Sequence, residues 1–154
     1  MEVIFFDTSA LAKRYIDEKG SAWIGYFFHD ESDCLVYIAE ITIVELASAI
    51  VRRSKGGSLS AEEARQLLEL FDDHLSSQYY VLELNSKIID GARGIVEKYG
   101  LRAYDAVQAA AAEHLNRNQM ANDLPAVVLV SADLELLAAA RAMGLRTEDP
   151  NDHP

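Results

Sequence analysis

Short, continuously apolar runs alternate along the chain with longer segments in which apolar residues recur at helical spacing. The runs at residues 3–6, 35–39 and 126–130 are rich in β-branched and aromatic residues. Strands that are covered on both faces, as in a parallel sheet, have this composition. Two further strands are predicted at residues 79–84 and 145–147.

The segments between the strands carry helix signals. Ser60 and Glu63 form a capping-box pattern, and Lys55-Gly56-Gly57 is a typical helix end. The apolar spacing predicts helices at residues 7–17, 21–30, 42–53, 60–75, 86–99, 103–116 and 133–143. This alternation predicts an α/β fold with a mostly parallel central sheet of four or five strands.

The length of 154 residues favours a single domain. We expect that domain over residues 1–148, followed by a frayed C-terminal tail over residues 149–154. No apolar run approaches the ~20 residues of a membrane span, and the chain does not start like a signal peptide. We therefore expect a cytoplasmic protein. The single cysteine, Cys34, excludes an internal disulfide.

The chain is acidic, because 14 Lys and Arg residues stand against 25 Asp and Glu residues and give a formal net charge of −11. Such a chain gains no long-range attraction to nucleic acid. If it acts on nucleic acid, cations or a local basic patch must offset its field. The phosphate loop of nucleotide-binding proteins, the GxSxG nucleophile pattern and the HExxH zinc pattern are all absent.

Four carboxylates stand where the predicted strands end or where a helix begins. Asp7 ends the first strand, Glu45 lies one helical turn after the second, and Asp133 lies just past the fourth. Functional groups in parallel α/β sheets gather beyond the carboxyl ends of the strands, so these three are expected in one region. Asp105 opens the Ala-rich helix and joins them if that helix starts beside the same edge.

Helix capping is the alternative for each acid taken alone. Asp7, Asp105 and Asp133 stand at helix starts, and Thr42 with Glu45 forms a second capping-box pattern. Capping does not require all four to converge, and two carboxylates about 4 Å apart repel by about 4 kcal/mol at an effective dielectric constant near 20. A divalent cation or a shared proton compensates such a cluster. Oxygen ligands favour Mg²⁺ or Mn²⁺, which suit phosphodiester hydrolysis.

Four motifs resemble the PIN domain in their order and spacing. They are Asp7-Thr8-Ser9-Ala10-Leu11, Thr42-x-x-Glu45, Leu101-Arg102-Ala103-Tyr104-Asp105-Ala106-Val107-Gln108 and Ser131-Ala132-Asp133-x-Glu135-Leu136. The resemblance covers residues 2–148 and extends to the VapC-type toxins of bacterial and archaeal toxin–antitoxin pairs. It implies a PIN-like three-layer fold in which helices flank the central sheet.

The same resemblance implies a Mg²⁺- or Mn²⁺-dependent endoribonuclease. The catalytic, metal-binding acids carried over from the family are Asp7, Glu45, Asp105 and Asp133, and the hydroxyls expected to orient them are those of Thr8, Ser9 and Ser131. The resemblance also implies an RNA substrate, a cognate antitoxin, and assembly as a homodimer or a hetero-oligomer with that antitoxin. Two alternatives stay open: a PIN-like RNA-processing nuclease without an antitoxin, and a catalytically inactive PIN-like binding module.

Nearby cations and one aromatic helix are the candidates for contacts with RNA and with a partner. The candidate RNA-binding cations are Lys13, Arg14 and Arg102. The predicted helix that starts at Ser21 carries more apolar surface than a one-sided helix needs, from Ala22, Trp23, Ile24, Tyr26, Phe27 and Phe28. These residues either pack in the core on two sides or form a groove for an antitoxin segment.

Overall fold

The computed structural model describes residues 1–154 and contains five strands, seven helices and one short 3-10 turn. The strands are β1 (Glu2–Phe6), β2 (Cys34–Ala39), β3 (Tyr80–Leu82), β4 (Val127–Val130) and β5 (Arg146–Glu148). The helices are α1 (Thr8–Tyr15), α2 (Ser21–Tyr26), α3 (Ile41–Lys55), α4 (Ala61–Ser77), α5 (Ser86–Tyr99), α6 (Ala103–Ala121) and α7 (Leu134–Ala142). The strands are all parallel and lie in the order β3-β2-β1-β4-β5, which confirms the predicted α/β fold.

Helices cover both faces of the sheet and create two separate cores. Successive side chains of a strand point to opposite faces, so Val3 and Phe5 of β1 pack with α5, α6 and α7. Ile4 and Phe6 of the same strand pack with α1, α2, α3 and α4. The result is a three-layer arrangement with β1 at the centre of the sheet.

Local sequence signals define most of the helix ends. Ser60 and Glu63 form the predicted capping box of α4. The Asn85 side chain caps α5, and Gly100 ends that helix in the left-handed conformation. Helix α6 runs past its predicted end at residue 116, because Gln119 is still buried in the following turn. None of the helices is long and apolar enough to span a membrane.

Helix α2 ends at Tyr26, whereas the sequence pattern predicts a helix up to residue 30. Phe27 and Phe28 follow in turns, and their rings lie 5.5 and 5.9 Å from the ring of Phe6. Adjacent residues of an α-helix point about 100° apart, so a continued helix does not direct both rings at one neighbour. Tyr26 is exposed and Ile24 is buried, so the aromatic segment divides between surface and core.

Residues 149–154 pack against α2, so the expectation of a frayed tail is wrong. Asp149 and Pro150 are buried, and the Asp149 carboxylate accepts the N–H of Asn151 at the start of the 3-10 turn Pro150–Asp152. The imidazole of His153 stacks on Trp23 with ring centroids 4.2 Å apart. The contacts of the tail with α2 are tertiary, which is why local sequence signals do not reveal them.

Gly20 permits the close approach of the tail. Its φ is +89°, and a Cβ at this position would lie 2.4 Å from the carbonyl oxygen of Pro150. We expect Gly20→Ala to lower the free energy of unfolding by about 2–4 kcal/mol, because backbone strain and a steric clash add together. Denaturant unfolding followed by circular dichroism measures this loss.

Gly57→Ala is the matched control. Gly57 has a similar φ of +82°, but nothing lies within 4 Å of a Cβ built there. This variant is expected to lose only about 1–2 kcal/mol, from the backbone conformation alone. Equal losses in the two variants would contradict the contact between Gly20 and the tail.

Candidate active site

The predicted acids lie beyond the carboxyl ends of the parallel strands. Asp7 directly follows β1 and is the N-cap of α1. Glu45 lies in the first turns of α3, after β2, and Asp133 follows β4 as the N-cap of α7. Asp105 lies in the first turn of α6. The parallel sheet therefore brings residues that are far apart in the sequence to one edge.

Asp7 is a buried carboxylate that accepts hydrogen bonds from three donors. The hydroxyl of Ser9 donates to Oδ1 at 2.8 Å, the hydroxyl of Ser131 donates to Oδ2 at 2.7 Å, and the N–H of Ala10 donates to Oδ1 at 2.9 Å. The N–H of Asp7 in turn donates to the carbonyl of Val130 at 3.1 Å. Ser9 and Ser131 thus contact the acid that they are predicted to orient.

Burial raises the pKa of Asp7 from 3.8 to about 6. The hydrogen bonds from Ala10, Ser131 and Ser9 favour the charged form and oppose this shift, while the negative charge of Asp105 adds to it. Asp7 is therefore both a helix cap and a member of a mutually repelling acidic group. Capping alone does not account for its environment.

Glu45 is held by a network that joins three elements. The hydroxyl of Thr8 donates to Glu45 Oε1 at 3.0 Å, and the side-chain amide of Gln108 donates to the same oxygen at 2.9 Å. The Gln108 amide nitrogen also lies 2.9 Å from Thr42 Oγ1. No donor within the protein contacts Glu45 Oε2.

The alternative that Thr42 and Glu45 cap helix α3 is wrong. The N-cap of α3 is Glu40, and no side chain caps that end of the helix. Thr42 is fully buried and its hydroxyl is occupied by Gln108. The two residues thus belong to the network beneath the site and have no capping role.

Asp105 and Asp133 differ in how the protein holds them. Asp133 accepts the N–H groups of Glu135 and Leu136 through Oδ1, as expected of a helix cap. Asp105 accepts no hydrogen bond from the chain, and its nearest cation is Arg102, with Nε 3.9 Å from Oδ2. The capping alternative therefore holds for Asp133 and fails for Asp105.

The pKa of Asp105 is raised, first by desolvation and then by the negative charge of Asp133. Glu45 and Glu135 raise it further, and Arg102 partly opposes them. The four predicted acids therefore interact electrostatically, and Arg102 is the one cation that opposes their effect on Asp105. Such an arrangement favours a bound cation.

The donor set suits a hard divalent cation. Every candidate ligand is a carboxylate oxygen, as Mg²⁺ and Mn²⁺ prefer. No three His, Cys, Asp or Glu side chains are close enough to hold an ion together. Mg²⁺ keeps several of its waters in proteins and binds through one or two carboxylates, so these residues fit a hydrated ion.

A groove of about 630 Å³ runs beside these acids. Its walls come from the start of α6 and one side of α3, namely Ile41, Val44, Glu45, Ser48, Ala49, Arg52, Arg102, Tyr104 and Asp105. Two carboxylates and two guanidinium groups thus share this space. Of the three predicted RNA-binding cations, Arg102 borders the groove.

Lys13 and Arg14 are occupied elsewhere in the fold. Lys13 is buried, and its ammonium donates to the carbonyl of Lys19 at 2.9 Å. Arg14 donates to the hydroxyl of Tyr79 and lies 3.6 Å from the ring centroid of Phe28. Neither side chain lines the groove, so the structure does not bring these two candidates to the site.

Gln108 and Glu135 are the site residues that sequence reasoning left without a role. Gln108 is 2% exposed and contacts Thr8, Thr42 and Glu45 through one amide nitrogen. The sequence signal for its role is a polar residue within an Ala-rich helix that is predicted to be buried, because a buried amide needs hydrogen-bond partners. Glu135 gives no such signal, since acids are common in the first turn of a helix.

Comparison with known protein families identifies the family of this chain. The sequence matches the family model of the PIN domain over residues 4–142. The chain therefore belongs to the PIN domain family. No curated protein matches the sequence.

Solved structures with the same fold include proteins from an archaeon and from bacteria. PAE2754 from Pyrobaculum aerophilum is 24% identical, with 99% of this chain and 86% of that chain covered and a TM-score of 0.65. VapBC2 from Rickettsia felis, bound to a DNA fragment from its promoter, is 15% identical over 96% and 98% of the two chains, with a TM-score of 0.61. VapC20 of Mycobacterium tuberculosis, a toxin that cleaves the sarcin–ricin loop, is 15% identical over 88% and 94%, also with a TM-score of 0.61.

The raised pKa of Asp7 predicts a pH dependence of stability in the metal-free protein. Its pKa is about 6 in the folded state and about 3.9 in an unfolded chain, so the folded state binds more protons between these values. The free energy of unfolding should fall as the pH rises from 4 to 6, by roughly 2–3 kcal/mol from this group, and level off above pH 6.

Denaturant unfolding in a chelator, with Asp7→Asn as the reference, isolates this contribution. The parent should lose stability relative to the variant between pH 4 and pH 7, because asparagine does not titrate. A stability difference that stays constant over this range would contradict the raised pKa.

Proposed function

We propose that this chain is a metal-dependent endoribonuclease and the toxin of a toxin–antitoxin pair that works in the cytoplasm. The observation that carries the proposal is the group formed by Asp7, Glu45, Asp105 and Asp133 beyond the strand ends, where neighbouring acids help to raise the pKa of Asp7 and of Asp105. Membership of the PIN family supports a nuclease. The fold shared with VapC20, a toxin that cleaves the sarcin–ricin loop, supports RNA as the substrate.

The proposed cofactor is Mg²⁺ or Mn²⁺, held by Asp7, Glu45, Asp105 and Asp133 directly or through water. A divalent ion at such a site activates water and neutralises the charge that develops on the phosphate. The chain itself supplies the carboxylates and holds them in place. In this proposal the metal ion supplies the positive charge that attracts the phosphate, so the protein does not need a basic surface to act on RNA.

In two of the acids, Glu45 and Asp133, one carboxylate oxygen is bound by the chain and the other is not. Glu45 Oε1 accepts hydrogen bonds from Thr8 and Gln108, and Asp133 Oδ1 accepts hydrogen bonds from N–H groups at the start of α7. Their second oxygens have no partner in the chain and are available to an ion or its waters. Arg102, beside Asp105, is the cation best placed to contact an RNA phosphate.

Cleavage of structured RNAs tests the proposed activity. Asp7→Asn and Asp105→Asn should each lower the cleavage rate about 100-fold or more in Mg²⁺ or Mn²⁺, because each removes a charge that the ion requires. The measurement is the initial rate on a panel of labelled structured RNAs, with and without the metal. Near-parental rates in either variant would contradict the site.

Asp90→Asn is the matched control, because it makes the same change at an exposed position of α5. It should cleave like the parent. Thermal unfolding gives a second readout: metal at ~100 times its dissociation constant adds about 2.7 kcal/mol, or roughly 5–10 °C at this chain length. That shift should shrink in Asp7→Asn and persist in Asp90→Asn.

An antitoxin partner follows from the proposed toxin function. A second groove, of about 320 Å³, runs along α2 and the tail, and Trp23, Tyr26, Phe27 and His153 contribute to its lining. Tyr26 is 60% exposed there. We propose that a basic, amphipathic antitoxin segment lays apolar side chains on this groove, with the toxin in a homodimer or a hetero-oligomer.

Tyr26→Ala tests this surface, because the ring is exposed and its loss should leave the fold intact. The variant should weaken the complex with the protein encoded by the neighbouring gene about 10-fold or more, measured by titration calorimetry. Tyr80→Ala, at another exposed tyrosine on β3, is the control and should bind like the parent. Equal affinities for Tyr26→Ala and the parent would remove α2 from the interface.

The alternative of an RNA-processing nuclease without an antitoxin predicts the same site chemistry. It differs in gene neighbourhood, since a toxin has a small antitoxin gene beside it. An inactive binding module is disfavoured by the complete set of four acids and by their hydrogen bonds.

A further inference from the structure

An unusual combination of side chains borders the groove beside Asp105. Tyr104 is 62% exposed and Val44 is 69% exposed, although both are large apolar residues. They line the same groove as Arg52 and Arg102. The fold does not need these side chains for packing, because neither belongs to the two hydrophobic cores.

The charge of the groove differs from that of the chain as a whole. Along its walls two arginines balance two carboxylates, whereas the chain carries a net charge of −11. Arg52 forms no ion pair, and Arg102 makes only the long contact of 3.9 Å with Asp105. Three other arginines, Arg65, Arg93 and Arg117, pair with glutamates on their own helices. The groove therefore offers free cations to an anionic ligand.

An exposed aromatic ring that lines one groove together with two guanidinium groups suits an unpaired nucleotide. The face of a single-stranded base can stack on an aromatic side chain while cations contact its phosphates. Bases within an A-form duplex stack on one another and offer no free face. The volume of about 630 Å³ lies in the range of ligand-binding clefts.

We propose that this groove is a binding site for one unpaired nucleotide of the RNA, with the base stacked on Tyr104 beside Val44 and the flanking phosphates on Arg52 and Arg102. This proposal rests on the proposed ribonuclease function and assigns to the groove one base-stacking residue, Tyr104, and two phosphate-binding residues, Arg52 and Arg102. Every base has a face that can stack on an aromatic ring, so Tyr104 selects an unpaired nucleotide without selecting which base it carries.

Binding in an Asp7→Asn background tests the stacking site without cleavage. The probe is a ten-nucleotide single-stranded RNA with one 2-aminopurine, whose fluorescence is quenched by stacking, and a gel confirms that it stays intact. Adding Tyr104→Ala should raise the dissociation constant about 5-fold or more and abolish the protein-induced quenching. Tyr104→Phe should stay within about two-fold, because the ring is retained.

Two controls separate stacking from a general loss of binding. Tyr80→Ala removes an exposed tyrosine of β3 that lines neither groove and should leave the RNA affinity unchanged. When the same RNA is annealed into a full duplex, the Tyr104→Ala protein should bind it as tightly as the protein that retains Tyr104. An unchanged single-strand affinity in Tyr104→Ala, or an equal loss for the duplex, would overturn the proposal.

The outcome is separable from that of the proposed function. If the parent cleaves RNA and Tyr104→Ala cleaves it with the same KM, the nucleotide site is wrong and the nuclease stands. If no RNA is cleaved but Tyr104→Ala still weakens single-strand binding, the nuclease is wrong and the site stands. If Tyr104→Ala weakens only the complex with the neighbouring gene product, the groove serves a protein and the proposal fails.

Discussion

The buried carboxylate of Asp7 holds together segments that lie at opposite ends of the sequence. Its donors come from the start of α1 and from Ser131 in the loop after β4, 124 positions away. The hydroxyl of Ser9 also accepts the N–H of Ala132 at 2.9 Å, so the two loops are linked twice. A charge buried at this depth is tolerated only with such donors. The position of Asp133, two residues after Ser131, depends on the same contacts.

The site carries an electrostatic cost that the fold does not offset by itself. Asp105 accepts no hydrogen bond and has three other carboxylates acting on it, with only Arg102 to compensate. Glu45 is different, because Thr8 and Gln108 donate hydrogen bonds to one of its carboxylate oxygens. The protein thus fixes some acids by hydrogen bonds and leaves the charge of Asp105 largely uncompensated. This repulsion among the acids is what supports the proposed binding of a divalent ion.

Local sequence patterns predict the parts of this fold that local physics determines. The apolar runs identify the strands, and parallel topology then predicts that Asp7, Glu45 and Asp133 share an edge. The patterns do not distinguish Arg102, which borders the groove, from Lys13, whose ammonium is used inside the fold. They also miss the role of Gln108, because its partners come from α1 and α3. Such residues are defined by tertiary contacts, which periodicity does not encode.

The packed tail has a practical consequence for work in solution. Trp23 is the only tryptophan of the chain, and its indole lies face to face with the ring of His153 in the tail. Its intrinsic emission therefore senses whether the final turn is docked, with no label attached. Because Trp23 also lines the groove on α2, a molecule that enters this groove should change the same optical signal.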